Sequence, residues 1–499
     1  MKNALIRTGE FVGTGRGAGF LIGATLLTLF VLREFLFPGI GGDEGEQLIF
    51  SQYFDWGYQV RNPPLYTWLV IAVSSVLGPT VQSVIIIKFA ALALAYVFLW
   101  KSALSVLQDE RLAALSAASP LALYYVAWDS IYGYSHSVLV MMFYMATLWL
   151  VIRIAENRRT RDFIWLGFAI GGGLLSKYVF ALFLVALLVA VGLDRDLRRN
   201  LFRLPILISL SIALVCIFPH LLWLIDNAKL PVEVGSHTFN FNGLIRLALA
   251  ITGFLSPLWL VLAVLFTAAF KSRPSRGSGE GQWARLLERY FMVLGSIALI
   301  AVVSQQSDRL RTHYMFVLLP MIIYFFLRIK YVIVPLPRLH LYGGILVLFA
   351  ATSVGGMVIK YIGEPFKCSR CQHHIPYAAL AENLRRAGFR GGTIFAYWHP
   401  DPIAGNLRAQ FSDSRVISAK HPKVQPPPRD RPGQCLLVWP ITSKDTGRLT
   451  TIDMANRYLG TSLAANTPAR QVDAPMVMGR GKRVRLGYIL VDPGQGTCR

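Results

Sequence analysis

Charge is scarce in this chain. Asp, Glu, Lys and Arg make up 15% of its 499 residues, against about 25% in an ordinary soluble domain. That argues against a water-soluble globular protein. Five cysteines are too few for a disulfide scaffold. There is no Gly-rich loop to cradle a nucleotide phosphate, and no internal repeat of the kind from which many transporters are built. No small-residue cleavage site follows the first apolar run, which is therefore read as a retained helix rather than a signal peptide.

What is present is apolar length. Hydrophobic residues reach 54% and the mean hydropathy is +0.48. Runs close to the ~20 residues needed to span a bilayer recur along residues 17–360. The net charge of +23 does not imply nucleic acid, because the basic residues cluster in short loops between apolar runs. Such clusters include Arg153, Arg158, Arg159 and Arg161; Arg195, Arg198, Arg199 and Arg203; and Lys271, Arg273, Arg276, Arg285 and Arg289. With Lys2, Arg7 and Arg16, with Lys101 and Arg111, and with Arg328, Lys330 and Arg338 there are six basic loops, and placing all six in the cytoplasm satisfies the positive-inside rule. Spans are then expected near 17–37, 81–100, 112–128, 131–152, 163–176, 178–193, 204–226, 245–270, 290–305, 313–328 and 339–360. The expected fold is an all-α polytopic membrane protein with about 11–13 transmembrane helices. The segment Pro64–Gly78 must then stay outside as a re-entrant or interfacial helix, with Pro63-Pro64 at its start. After residue 360, strand-like runs at Thr393–Trp398, Leu436–Trp439 and Leu486–Val491, and a helix candidate at Ala378–Ala387, suggest a small α/β periplasmic domain over 361–499.

This topology puts Asp43, Glu44, Arg61, Asp129, Lys177, Glu233, His237, Arg309, Arg311 and His313 on the outer side. Asp43-Glu44 opens an amphipathic stretch where water meets lipid. Asp43 with Glu46 three positions on fits a helix cap, and a carboxylate there also suits a general base. Asp129 lies in the aromatic run Trp128 to His136; it is either a solvated loop residue or a second catalytic carboxylate. Lys177 between two spans either snorkels to the surface or binds a lipid phosphate. Arg309 and Arg311 run against the cytoplasmic bias of basic residues, which favours phosphate or carboxylate binding. Cys368, Cys371, His373 and His374 outline a knuckle too tight for the usual zinc spacing; a local disulfide, or pairing with Cys435 or Cys498, is the alternative.

Asp43-Glu44, Trp56-Gly57-Tyr58 and Pro63-Pro64-Leu65-Tyr66-Thr67-Trp68 resemble the polyprenyl-phosphate-dependent membrane glycosyltransferases of the GT-C type. That group includes the aminoarabinose transferases of lipid A and the protein O-mannosyltransferases, and the branch most similar is that of the rhizobial lipopolysaccharide galacturonosyltransferases. The resemblance covers roughly 17–360. It implies an inverting transferase of the bacterial inner membrane whose site faces the periplasm. The donor would be a sugar on a polyprenyl phosphate, galacturonic acid being the expected sugar, and the acceptor lipid A or the lipopolysaccharide core. Aminoarabinose or protein mannosyl transfer is the alternative, and a lipid or sugar transporter a more distant one. Asp43, with Glu44, takes the family's catalytic position and Asp129 the second acidic one. Where the aminoarabinose transferases carry Glu-Lys before the double proline, this chain has Arg61-Asn62. Arg61, Lys177, Arg309 or Arg311 is then expected to bind the donor phosphate. The sequence establishes no cofactor; a divalent metal is the one candidate, and the missing glutamate weakens its case.

Overall fold

In the computed structural model, residues 2–227, 241–272, 279–303, 312–367, 371–397, 401–428, 433–441 and 447–498 are described. The fold is mainly helical. Five described helices are long and apolar enough to cross a bilayer: Gly15–Leu36, Val81–Leu107, Ser135–Asn157, Ile206–Asn227 and Leu336–Lys367. At ~1.5 Å per residue, 22 residues give roughly 33 Å, the thickness of a hydrocarbon core. Other expected spans are shorter or broken. The stretch expected at 112–128 is a helix Glu110–Ala118, a 3-10 turn Ser119–Ala122 and a π-helical turn Tyr125–Asp129, where Pro120 withholds a backbone donor. The stretch 245–270 divides into Phe241–Leu255, Leu258–Leu265 and Thr267–Lys271 around the cis Ser256-Pro257 bond.

The chain forms two compact units. One comprises residues 1–28, 60–63 and 89–354. In it the helices Thr160–Ser176 and Ile206–Asn227 pack closely because the former is lined with glycine. A Cβ at Gly167 would come within 2.8 Å of the Ser209 carbonyl oxygen, and one at Gly171 within 2.8 Å of Cys216 Cβ. Cys216 is thus a half-buried packing residue at a helix crossing.

The other unit comprises 29–59, 64–88 and 355–499. It contains the helices Gly42–Phe50 and Leu65–Leu77. The second starts after Pro64 and stops at Gly78 (φ 75°), a position that glycine tolerates. It also contains a five-stranded sheet in the order β2-β1-β3-β5-β4. The strands are β1 Gly392–Ala396, β2 Arg415–Ser418, β3 Gln434–Pro440, β4 Arg470–Pro475 and β5 Arg483–Val491. β1 runs parallel to β2 and β3, whereas β5 is antiparallel to β3 and β4. Successive residues face opposite sides. Ile394, Val416, Leu436 and Val438 meet Leu380, Leu384, Ala404 and Leu407 of the helices Tyr377–Arg386 and Asp401–Gln410. Phe395, Ile417, Leu437 and Ile489 meet Ile452, Ala455 and Leu459 of the helix Gly447–Leu459. A disulfide joins Cys435 of β3 to Cys498.

Candidate active site

Pro38 and the glycines Gly39, Gly41 and Gly42 bring the chain out of the first long helix into the short helix Gly42–Phe50. Its N-cap is Gly41, and Glu44, three residues on, turns back so that Gly41 N–H donates to Glu44 Oε2 at 3.2 Å. The expected cap of Asp43 and Glu46 is therefore displaced by two residues. Asp43 sits in the first turn and is exposed, where the helix N-terminus favours a carboxylate.

Glu44, expected beside Asp43 in a catalytic role, is wholly buried. Lys88 Nζ donates to Oε1 at 2.6 Å, and Arg33 donates to Oε2 at 3.2 Å. All three side chains are inaccessible to solvent. Arg33 also donates to the carbonyls of Phe37 and Gly39 at 3.3 and 3.1 Å, tying off the turn that precedes Asp43. Burial pushes the Glu44 carboxyl upward, but the charges of Lys88 and Arg33 prevail and hold it down at about 2. The Asp43 charge also acts on Lys88, so two carboxylates offset two cations in this corner. His373 is kept neutral, its value lowered to about 3 by burial and then by the Arg33 charge.

The Asp43 helix is gripped at both ends and in the middle. At its start, Asn406 takes the Ile40 N–H on Oδ1 at 3.0 Å and gives its amide to the Ile40 carbonyl at 3.1 Å. At its end, Gln52 takes the Val416 N–H at 2.7 Å and donates to the Val416 carbonyl at 2.8 Å. The Gln52 side chain thus pairs like a strand on the outer edge of β2, satisfying groups that an edge would expose. Midway, Glu46 accepts from Lys420 Nζ at 3.2 Å, His421 Nε2 at 3.0 Å and Gln59 Nε2 at 2.5 Å. A Cβ on Gly405 would come within 2.3 Å of Gly45 Cα; two glycines permit this approach. Next to the helix, exposed Phe54 and Trp56 gather with Trp68, their ring centroids 5.0–5.9 Å apart.

Arg61, Asp129 and Lys177 belong to the other unit. Arg61 is exposed. Asp129 is half-buried and takes a hydrogen bond from the Tyr124 hydroxyl. Lys177 ends the helix Thr160–Ser176, donates to Ser137 Oγ and lies 4.9 Å from the centre of the Tyr314 ring. Nearby in sequence, the Tyr178 hydroxyl meets His220 Nε2 at 2.9 Å. Arg309, Arg311, Glu233 and His237 lie outside the described residues, as does the side chain of His313.

Among the described residues no group of three or more His, Cys, Asp and Glu side chains is disposed to hold a metal. Cys371 is disulfide-bonded, and His373 and His374 pack edge-on against Phe37 at 5.9 and 5.4 Å. Cys371, His373 and His374 are thus engaged in a disulfide and in ring packing.

Several of these residues were not expected from sequence. Lys88 could have been, since it is a lone charge in the apolar run Val84–Leu92, and so could Arg33, which lies with Glu34 in the otherwise apolar Phe30–Phe37; such charges are costly unless partnered. Gln52, Asn406 and His421 carry no comparable signal.

Residues 61–223 match the family model described as dolichyl-phosphate-mannose-protein mannosyltransferase. Over 96% of this chain and 98% of the relative, the sequence is 28% identical to the lipopolysaccharide core galacturonosyltransferase RgtA of Rhizobium johnstonii. It is 29% identical to RgtB of the same organism, over 91% of this chain and 93% of that one. The fold is similar to the crystal structure of ArnT from Cupriavidus metallidurans bound to undecaprenyl phosphate, with a TM-score of 0.53 and 14% identity over 94% of this chain and 97% of that one. The protein is a multi-pass membrane protein whose sequence and fold are similar to those of membrane glycosyltransferases. Within that class its sequence is similar, over nearly its whole length, to RgtA and RgtB.

Proposed function

We propose that the protein transfers a galacturonosyl residue from a polyprenyl phosphate to lipid A or the lipopolysaccharide core, at the periplasmic face of the inner membrane. The observation that carries this reading is the nearly end-to-end similarity to two lipopolysaccharide core galacturonosyltransferases. Likeness in fold to a protein crystallised with undecaprenyl phosphate supports a lipid-linked donor. In this reading residues 1–360 are the membrane-embedded part and 361–499 the periplasmic one.

The chemistry assigns a role to each candidate. The acceptor hydroxyl attacks the anomeric carbon as the bond to the lipid phosphate breaks, which inverts that carbon in a single displacement. The Asp43 carboxylate takes the proton of the attacking hydroxyl. Negative charge grows on the departing phosphate and calls for cations, for which Lys177, Arg61, Arg309 and Arg311 are the candidates. Asp129 serves as the second acidic residue. Glu44, sealed by Arg33 and Lys88, supports the turn that carries Asp43 rather than touching substrate. The energy resides in the glycosyl phosphate bond, so no nucleotide is consumed.

Mass spectrometry of lipopolysaccharide from a deletion strain tests the proposal. Loss of a uronic acid from lipid A or core, restored by the wild-type gene and not by Asp43→Asn, is the expected result. Loss of aminoarabinose instead, or unchanged lipopolysaccharide with loss of protein-linked hexose, would overturn the choice of sugar and acceptor. Labelling of a cysteine at position 129 from outside intact cells tests the orientation; labelling only after permeabilisation would reverse it.

A further inference from the structure

A cavity lies away from all of these residues, between the helices Gly279–Val303 and Pro320–Lys330 and beside Thr267–Lys271. It encloses about 920 Å³. Its polar end carries Lys271, Arg285 and Arg328 against one lining carboxylate, Glu288, which accepts the Tyr324 hydroxyl at 2.8 Å. Arg328 is held rigidly, donating from Nε to the Ala269 carbonyl at 2.9 Å and from one terminal nitrogen to those of Phe270 and Ser272 at 2.6 and 2.7 Å. These are backbone dipoles, so its charge is not neutralised there. Arg285 is 3.5 Å from Asp194, and Lys271 is exposed at the rim.

The other end of the cavity is apolar. Phe270, Met321 and Phe325 also wall an adjoining cleft of about 330 Å³ lined by Leu255, Trp259 and Leu262. Beside it Leu260 and Val264 present exposed hydrophobic side chains, as surfaces bathed by lipid tails do. A water-soluble anion would use the cations and leave the cleft empty. An amphiphile uses both, its phosphate on the cations and a chain past Phe270 and Met321. The orientation expected from the basic loops puts the cationic end at the cytoplasmic leaflet, where anionic lipids attract juxtamembrane basic residues.

We propose that this cavity binds an anionic phospholipid, with the headgroup between Lys271, Arg285 and Arg328 and one acyl chain in the adjoining cleft. Full-length protein in neutral detergent is titrated with phosphatidylglycerol, phosphatidylcholine or inorganic phosphate and analysed by native mass spectrometry. Phosphatidylglycerol should be retained at least ten-fold more tightly than phosphatidylcholine, and millimolar phosphate should not displace it. Lys271→Gln should weaken retention five- to ten-fold, acting on an exposed side chain that the fold does not need. Met321→Trp should block the throat and abolish retention with every cation in place. Equal retention of the two lipids, displacement by phosphate, or unchanged retention in both variants would overturn the proposal.

Discussion

Asn406 holds Ile40 by both its backbone N–H and its carbonyl, across 366 residues of sequence. With Gln52 on Val416 at the other end, it makes the C-terminal sheet region a brace for the helix that presents Asp43. A base displaced by about 1 Å from its proton loses much of its effect.

Asn406→Ala and Gln52→Ala should each lower kcat about ten-fold while leaving the KM for the donor within two-fold. The measurement is steady-state transfer to purified lipopolysaccharide core. A rise in KM with kcat intact would mean that these residues serve substrate binding instead.

Asp43→Asn and Glu44→Gln should part company. The first should abolish transfer with normal expression and melting, since loss of an exposed first-turn carboxylate from a helix N-terminus costs only ~0.3–1 kcal/mol. The second removes the carboxylate that touches both buried Arg33 and Lys88, and breaking a buried ion pair typically costs about 3–5 kcal/mol. It should lower the melting temperature and the yield. A stable but inactive Glu44→Gln would return Glu44 to the catalytic group.

Alanine at the true donor-phosphate ligand among Arg61, Lys177, Arg309 and Arg311 should weaken apparent donor affinity by about 10- to 100-fold, the equivalent of roughly 1.5–3 kcal/mol. Titration of each variant with polyprenyl-phosphate sugar tests this. Lysine replacing an arginine should recover only part of the loss, because the bidentate fork is gone. Four unchanged affinities would place the phosphate elsewhere.

Acid should weaken the Asp43 corner in two windows. His373 stays neutral in the folded protein down to about 3, whereas the unfolded chain takes up that proton near its ordinary value of 6.5. The unfolded state therefore binds more protons between those values, and stability falls as pH drops through them. Glu44 adds a second loss between its ordinary 4.5 and about 2. Each contributes a slope of up to ~1.4 kcal/mol per pH unit inside its window. The protection factors of the amides of Gly42–Phe50 against hydrogen exchange should fall below pH 6.5. His373→Phe should move that onset below pH 4.5; an unmoved onset would assign the first window to another group.

Sequence periodicity and punctuation made much of this architecture legible. Pro64 and Gly78 bound the helix Leu65–Leu77 as expected, and β1, β3 and β5 lie on the apolar runs of the C-terminal region. β2 and β4 were not legible. β2 has four residues and begins with Arg415, while β4 is an edge strand that opens Arg470-Gln471-Val472-Asp473 and ends in Pro475, a polar pattern that resembles a loop. Composition likewise marked the acidic pair but could not separate its members. Asp43 and Glu44 differ only in where Arg33 and Lys88 lie, and those partners come from elsewhere in the chain.

The interleaving of the second unit also sets a clock on biogenesis. Residues 29–59 and 64–88 share that unit with 355–499, so the helix carrying Asp43 is made long before Asn406 and Val416. At about 5–20 residues per second, the 366 residues separating Ile40 from Asn406 take roughly 20–70 s to synthesise. Throughout that interval the Asp43 helix lacks its brace. A ribosome stalled short of β2 would leave an inserted polypeptide with its candidate base in the chain, held by Arg33 and Lys88 but without the contacts of the sheet region. Activity would then arrive late and all at once, with the last third of the protein.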